Sequence, residues 1–288
     1  MDVFEVVDEK EQKANVEDVQ MSVVKLDIDA IKKVPAFMGE VDVIKTMTLM
    51  PGIQSGGEGN NGFFVRGGGS DQNLVLLDEA TVYNASHLLG FFSVFNGDAI
   101  KDLQIYKGGI PARYGGRLSS LLDIKMKEGN SKKFSGSGGI GTVSSRLTLE
   151  GPIIKDKSSF ILSGRRTYAD QFLRFAKDTS LRKNKLYFYD FNAKANYIIN
   201  DKNRIFVSGY FGRDVFRFGD EFSMSWGNST GTVRWNHLFN DKLFSNVTFI
   251  ASKFDYNLGV PDGIQEFNWE SNIIDFSLKA DFSYFINP

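Results

Sequence analysis

Asn272-Ile273-Ile274-Asp275-Phe276-Ser277-Leu278-Lys279-Ala280-Asp281-Phe282-Ser283-Tyr284-Phe285 is the stretch that decides the fold. Ile274, Phe276, Leu278, Ala280, Phe282 and Tyr284 fall on one side of an extended chain, and Asp275, Ser277, Lys279, Asp281 and Ser283 on the other. Strict alternation of this kind is the mark of a strand with one apolar and one polar face. The same texture recurs upstream. Phe191, Ala193, Ala195 and Tyr197 alternate with Asn192, Lys194 and Asn196, and Gly231, Val233, Trp235 and Phe239 with Thr230, Thr232, Arg234 and Asn236. Runs of about ten residues are long for a globular sheet and match a tilted strand crossing a bilayer.

The connections carry the second signal. Ile154-Lys155-Asp156-Lys157, Ile199-Asn200-Asp201-Lys202 and Phe239-Asn240-Asp241-Lys242 are short polar turns of one type, and Phe285-Ile286-Asn287-Pro288 begins like a fourth. Asp156, Asp201, Asp241 and Asn287 are spaced by 45, 40 and 46 residues, a loose repeat of two strands with their connections. Longer polar and aromatic loops are predicted between them, near 167–186, 213–228 and 257–271. Sorting short turns to one side and long loops to the other is expected of an outer-membrane barrel and not of a soluble sandwich. Eight strands are predicted, at 134–142, 144–151, 158–168, 187–199, 203–213, 229–239, 242–256 and 272–285.

Composition agrees. Charged residues are 24%, hydrophobic ones 42% and the net charge −1, which excludes gross disorder and gives no electrostatic reason for a nucleic-acid partner. There are no cysteines, so thiolate chemistry, disulfides and cysteine metal sites are excluded. No run approaches the roughly 18–20 apolar residues of a spanning helix, so any crossing is by strands. Met1-Asp2-Val3-Phe4-Glu5 lacks the basic and apolar regions of an export signal.

Residues 1–20 read as a flexible polar lead-in, residues 21–130 as a small α+β unit, and residues 131–288 as barrel strands. In the middle unit, helices are predicted at Asp29–Lys33 and Glu40–Met47, and strands at Phe63–Arg66, Leu74–Asp78, Asp102–Lys107 and Leu121–Lys125. Within it, four motifs stand in order: Met50-Pro51-Gly52-Ile53, Phe64-Val65-Arg66-Gly67-Gly68, Val75-Leu76-Leu77-Asp78, and Ile105-Tyr106-Lys107-Gly108-Gly109 running to Arg113-Tyr114-Gly115-Gly116. Residues 45–128 thereby resemble the plug domain of TonB-dependent outer-membrane receptors. Pro51, Gly52, Arg66, Gly67, Asp78, Lys107, Gly108, Tyr114 and Gly115 carry the likeness. Glu79 stands where that family usually has Gly, and Gln104 replaces a common Glu.

The resemblance implies a mainly β chain: a plug followed by an incomplete antiparallel transmembrane barrel, about 8 of about 22 strands, since a lumen that holds a plug needs the larger number. An export signal upstream and about fourteen strands downstream are then expected. It implies import of a scarce solute (iron chelate, corrinoid, oligosaccharide or peptide) across the outer membrane, with energy relayed by TonB. It also implies no catalytic residue, cofactor or metal. Gln54, Asn60, Asn61, Asn84, His87, Phe91 and Phe92 are the candidates to face ligand, and Glu5, Val6 and Val7 the candidates to meet TonB. The partners are TonB, outer-membrane lipid and the nutrient. A surface receptor that binds or signals without transport is the alternative, and a soluble β-rich enzyme is a third reading that lacks a convergent acid–base pair.

Other signals fit less well. Gly57-Glu58-Gly59-Asn60-Asn61-Gly62 matches a dinucleotide loop but runs into a strand instead of a helix. Gly227-Asn228-Ser229-Thr230-Gly231 matches a nucleophile elbow but lies in alternating sequence. His87 and His237 are the two histidines and lie in different regions. Phe216, Phe218, Trp226, Tyr256 and Trp269 are expected to form an aromatic belt at the membrane boundary, with sugar or aromatic-ligand binding as the alternative.

Overall fold

Inward and outward side chains of the second half differ in burial as the alternation requires. Phe249 is 47% exposed, whereas its neighbours Thr248 and Ile250 are 0% and 2% exposed. The computed structural model describes residues 22–34, 40–57, 62–175, 177, 181–219, 221–260 and 267–286. The lead-in, with Glu5, Val6 and Val7, lies outside the described residues, as do Asn60, Asn61 and the end of the fourth turn.

The first unit contains β1 (Val23–Asp27), α1 (Ile28–Ile31), α2 (Val43–Met47), β2 (Ile53–Ser55), β3 (Phe63–Val65), β4 (Asn73–Leu77), β5 (Ala80–Thr81), β6 (Ser86–His87), β7 (Phe92–Ser93), β8 (Ile100–Tyr106) and β9 (Ser120–Met126). Its main sheet has the order β1-β8-β9-β4-β5, antiparallel except for the parallel pair β4/β9. Asp27 caps α1 through the Asp29 N–H and Asp42 caps α2 through the Lys45 N–H, both at 2.9 Å. The helices are shorter than predicted because Asp42, not Glu40, begins the second one. Ile31, Val43 and Met47 cover Leu103, Ile105, Leu122 and Ile124 of the sheet, all nearly fully buried.

The second unit is one eight-stranded antiparallel sheet in sequence order: β10 (Ser135–Ile140), β11 (Ser144–Ile154), β12 (Ser158–Thr167), β13 (Lys185–Asn200), β14 (Asn203–Phe218), β15 (Phe222–Asn240), β16 (Leu243–Val260) and β17 (Phe267–Tyr284). A short helix, α3 (Ala169–Leu173), lies in the β12–β13 connection. Apolar rows run across its outer face, such as Phe160, Ala195, Val207, Val233, Phe249 and Leu278, paired strand to strand. At the short-turn end, Trp235, His237 and Phe239 form an aromatic group on that face, with His237 edge-on to Phe239 at 4.4 Å.

The strands are longer than the alternation suggested. β15 to β17 have 18 or 19 residues, roughly 60 Å at about 3.3 Å per residue, well beyond the 9–11 residues that cross a bilayer. The loop predicted at 213–228 is therefore strand almost throughout, with only Gly219–Glu221 between β14 and β15. Gly227–Gly231 likewise lies inside β15 and is no nucleophile elbow. No helix among the described residues is long and apolar enough to span a membrane, which leaves strand crossing as it was.

Candidate functional site: the interface between plug and wall

Plug residues meet the inner face of the sheet through charge pairs. Asp78 and Glu79 occupy the two-residue turn between β4 and β5, with φ of 46° and 74°. Two left-handed residues make the turn that suits the twist of a hairpin, and Asp tolerates this conformation better than most residues. Glu in the usual glycine position thus keeps the turn and adds a charge. Lys194 of β13 places Nζ 3.0 Å from Asp78 Oδ2 and donates to the Met126 carbonyl at 3.0 Å. Asp78 Oδ1 accepts the Met126 N–H at 3.0 Å. Arg234 of β15 meets Glu79 at 2.6 Å, with Lys279 of β17 at 3.9 Å.

A larger network surrounds β6 and β7. Arg165 of β12 donates to Asp190 of β13 at 2.6 Å and to the Ser93 carbonyl at 2.7 Å, and its Nη1 lies 3.6 Å from Glu40. Glu40 also accepts a hydrogen bond from the Ser144 hydroxyl. Arg146 of β11 holds Asp98 at 2.9 Å. His87 lies between Asp214 and Asp190, at 2.6 and 3.3 Å. Neutral bonds extend the contact: Asn96 donates to Ser163 at 2.8 Å, and Asn228 donates to the Asn84 carbonyl at 2.8 Å while accepting the Tyr83 N–H at 3.1 Å.

The motif residues gather elsewhere, at the root of the N-terminal segment. Arg66 Nη2 donates to Ser22 Oγ at 3.1 Å, Lys107 Nζ donates to the Pro51 carbonyl at 3.1 Å, and the Arg66 N–H donates to the Gly52 carbonyl at 2.9 Å. Arg66 and Gly67 both have positive φ and close a turn from Val65 to Gly68. Gly108 leaves room for the Arg66 guanidinium, which a Cβ would approach to 3.1 Å. Tyr114, which follows Arg113 and precedes Gly115, bonds Asp123 at 3.4 Å and lies under the Arg113 guanidinium. Burial and the nearby Asp123 carboxylate push its hydroxyl well above the usual tyrosine range.

The residues proposed to face ligand divide. Gln54 is exposed, and Asn84 and Phe91 are half-buried. Asn84 lines a plug cleft of about 250 Å³ with Phe63, Asn73, Tyr83 and Arg117. His87 and Phe92 are not presented outward: both are buried, and Phe92 packs with Leu88 on Phe188 of the wall. Strand register also corrects the aromatic belt. Asp214, Trp226 and Tyr256 are directly paired across β14–β16, so they share the inner face with Phe216, and Trp269 joins that face from β17 against Tyr256. The wall partners Arg165, Asp190, Lys194 and Asp214 were missed as site residues. Inward charges recurring every second position were the available clue.

A globular unit seated by ion pairs on the polar face of a sheet whose other face is apolar defines a plugged membrane barrel. The profile of the family described as TonB-dependent Receptor Plug Domain matches residues 15–120, so this part of the chain is similar to such plugs. The fold is similar to that of siderophore receptors of known structure. The ferric enterobactin receptor PfeA of Pseudomonas aeruginosa is similar over 93% of this chain and 46% of its own (TM-score 0.67, 15% identity). PirA of Acinetobacter baumannii is similar over 93% and 45% (0.66, 15%), and the ferric-catecholate import receptor Fiu of E. coli K12 over 94% and 47% (0.64, 14%). The chain thus spans about half the length of these receptors, and at such identities the likeness is one of fold. No curated protein matches it by sequence.

Proposed function

We propose that this chain is part of an outer-membrane receptor that imports a scarce solute, with ferric siderophores the foremost class, using energy relayed by TonB. The observation that carries the reading is the seating of the plug: a separately cored α+β unit fastened by ion pairs to the polar face of a sheet whose other face is apolar. The fold of siderophore receptors favours iron chelates over corrinoids, oligosaccharides and peptides. Gln54, Asn84 and Phe91 are the proposed ligand contacts on the plug, and the inward aromatics Phe216, Tyr256 and Trp269 those on the wall. No bond is made or broken, so the work is binding and displacement. Glu5, Val6 and Val7 are the proposed TonB contacts. Among the described residues the first strand such tension would meet is β1, which lies at the edge of its sheet and pairs with β8.

Uptake of radiolabelled iron siderophores by cells expressing the receptor, with and without TonB, tests this reading. TonB-dependent accumulation supports it. Ligand binding without accumulation in either strain would instead support the signalling receptor.

A further inference from the structure

His87 is enclosed between plug and wall, and each of its ring nitrogens faces a different strand. Nδ1 is 2.6 Å from Asp214 Oδ2 on β14, and Nε2 is 3.3 Å from Asp190 Oδ2 on β13. The other oxygen of Asp214 accepts the Leu88 N–H at 2.7 Å. A neutral imidazole has one N–H, so it would bond one carboxylate and turn a lone pair toward the other. The imidazolium donates to both.

The charges around it favour that form. The wall contributes Asp190, Asp214, Arg165 and the Tyr210 hydroxyl, 3.5 Å from Nε2, and the plug contributes Glu40 beside Arg165. Asp190 and Asp214 against Arg165 leave −1 when His87 is neutral and 0 when it is protonated, with Glu40 shared between Arg165 and Arg146. Asp42 stands one step away, accepting the Ser93 N–H at 2.8 Å. Burial pushes its carboxyl up, opposed by the Lys45 and Ser93 amides. For His87 burial alone would lower the pKa, but Asp214 and Asp190 outweigh it and hold the imidazole above its ordinary 6.5.

The surroundings are shaped for the ring. Phe188 stacks on it at 4.0 Å and 7°, and the Arg165 guanidinium lies 4.9 Å from the same phenyl centroid. Gly212 leaves the gap: a Cβ there would come within 2.0 Å of the Tyr210 hydroxyl and 3.3 Å of His87 Cε1.

We propose that His87 is a proton-operated latch: protonated, it fastens the plug segment 84–93 to β13 and β14, and deprotonation releases that segment. The latch rests on the contact between plug and wall and not on which solute is carried. Its folded pKa is raised, so the stabilisation is complete below about 6.5 and is lost as pH rises through the folded value. Alkaline surroundings thus loosen the part of the plug that carries Asn84 and Phe91.

The chain has two histidines, so His237→Gln leaves His87 as the single imidazole signal in an NMR titration. The full chain in detergent or nanodiscs is titrated from pH 5 to 10. Exchange of amide hydrogens in 84–93 is followed in parallel and corrected for its intrinsic pH dependence. The expected result is a midpoint above 6.5, with protection of Leu88 falling at least tenfold over the same range. Asp214→Asn should lower the midpoint by a unit or more. A midpoint at or below 6.5, or protection that ignores the titration, would overturn the latch. The NMR and exchange readings need no change at position 87.

Discussion

Lys194→Met isolates the Asp78 carboxylate and measures how firmly the wall holds the plug. Lys194 Nζ sits 3.0 and 3.3 Å from the two oxygens of Asp78, and both side chains are more than 90% buried. Removing one member of a buried pair leaves an unpaired ion and costs about 3–5 kcal/mol. The lower figure applies, because Asp78 Oδ1 keeps the Met126 N–H. The Met126 carbonyl loses its Lys194 donor, for about 1 kcal/mol at most. A loss of about 3 kcal/mol is roughly a 10²-fold increase in local opening, at 1.36 kcal/mol per tenfold.

Native-state hydrogen exchange of β9, whose Met126 amide bonds Asp78, reads that opening directly. Lys194→Met should speed exchange at Met126 roughly 10²-fold while leaving β14–β16 unchanged. The double variant Asp78→Leu/Lys194→Met removes both charges and should recover most of the loss, since an apolar replacement of a whole pair is close to neutral. The Met126 N–H then loses an acceptor, so recovery stops about 1 kcal/mol short. Exchange within threefold of the parent in Lys194→Met would refute the reasoning, as would a double variant as open as the single one.

Other perturbations separate the parts of the molecule. Phe249→Arg on the outer face should disfavour insertion by about 2–4 kcal/mol, read as folded yield into lipid vesicles, whereas Thr248→Val should change it by less than about 1 kcal/mol because the buried hydroxyl has no partner; equal effects would contradict the facing. Gly129→Ala should destabilise the junction by about 1–3 kcal/mol, since its Cβ would lie 1.9 Å from the Phe160 carbonyl oxygen; a thermal unfolding midpoint matching the parent would show that the two segments do not touch. Gly212→Ala should displace Tyr210 and lower the His87 midpoint, and an unchanged NMR titration would disprove the tight fit.

Much of this architecture is written in period-two alternation, because the sheet has one apolar and one polar face: Leu278 and Phe282 lie on the first, Lys279 and Asp281 on the second. Residues 213–228 are mixed in composition, and their strand pairing is set by partners in β14–β16, so local sequence reads them as loop. The plug strands were legible from short apolar runs between glycines. His87 was not, since its partners lie more than a hundred positions away and only the fold brings Asp190 and Asp214 to it. The inward aromatics failed for a related reason: an aromatic belt and an aromatic lumen have the same composition, and only register separates them. For Trp226 that register is its pairing with Asp214.

The division of labour between apolar and polar contacts bears on how such a plug could move. Its own apolar side chains close on one another between sheet and helices, and among the described residues of the wall only Tyr210 joins that main core. A second, smaller contact brings Phe188 against Leu88 and Phe92. Most other contacts of the seat are polar: Asp78–Lys194, Glu79–Arg234, Asp98–Arg146, the Arg165 network, His87–Asp214 and the bonds of Asn96 and Asn228. Exposing apolar surface costs about 25 cal/mol per Å² with nothing returned. Separated ions, by contrast, recover the hydration lost on burial, which offsets much of the attraction given up. An interface of this composition is tight while dry and yields pair by pair once water enters. The plug core, having few apolar ties to the wall, need not unfold for the seat to open. Phe188 is the exception, and it lies at His87, so the most apolar tie and the titratable one share a site.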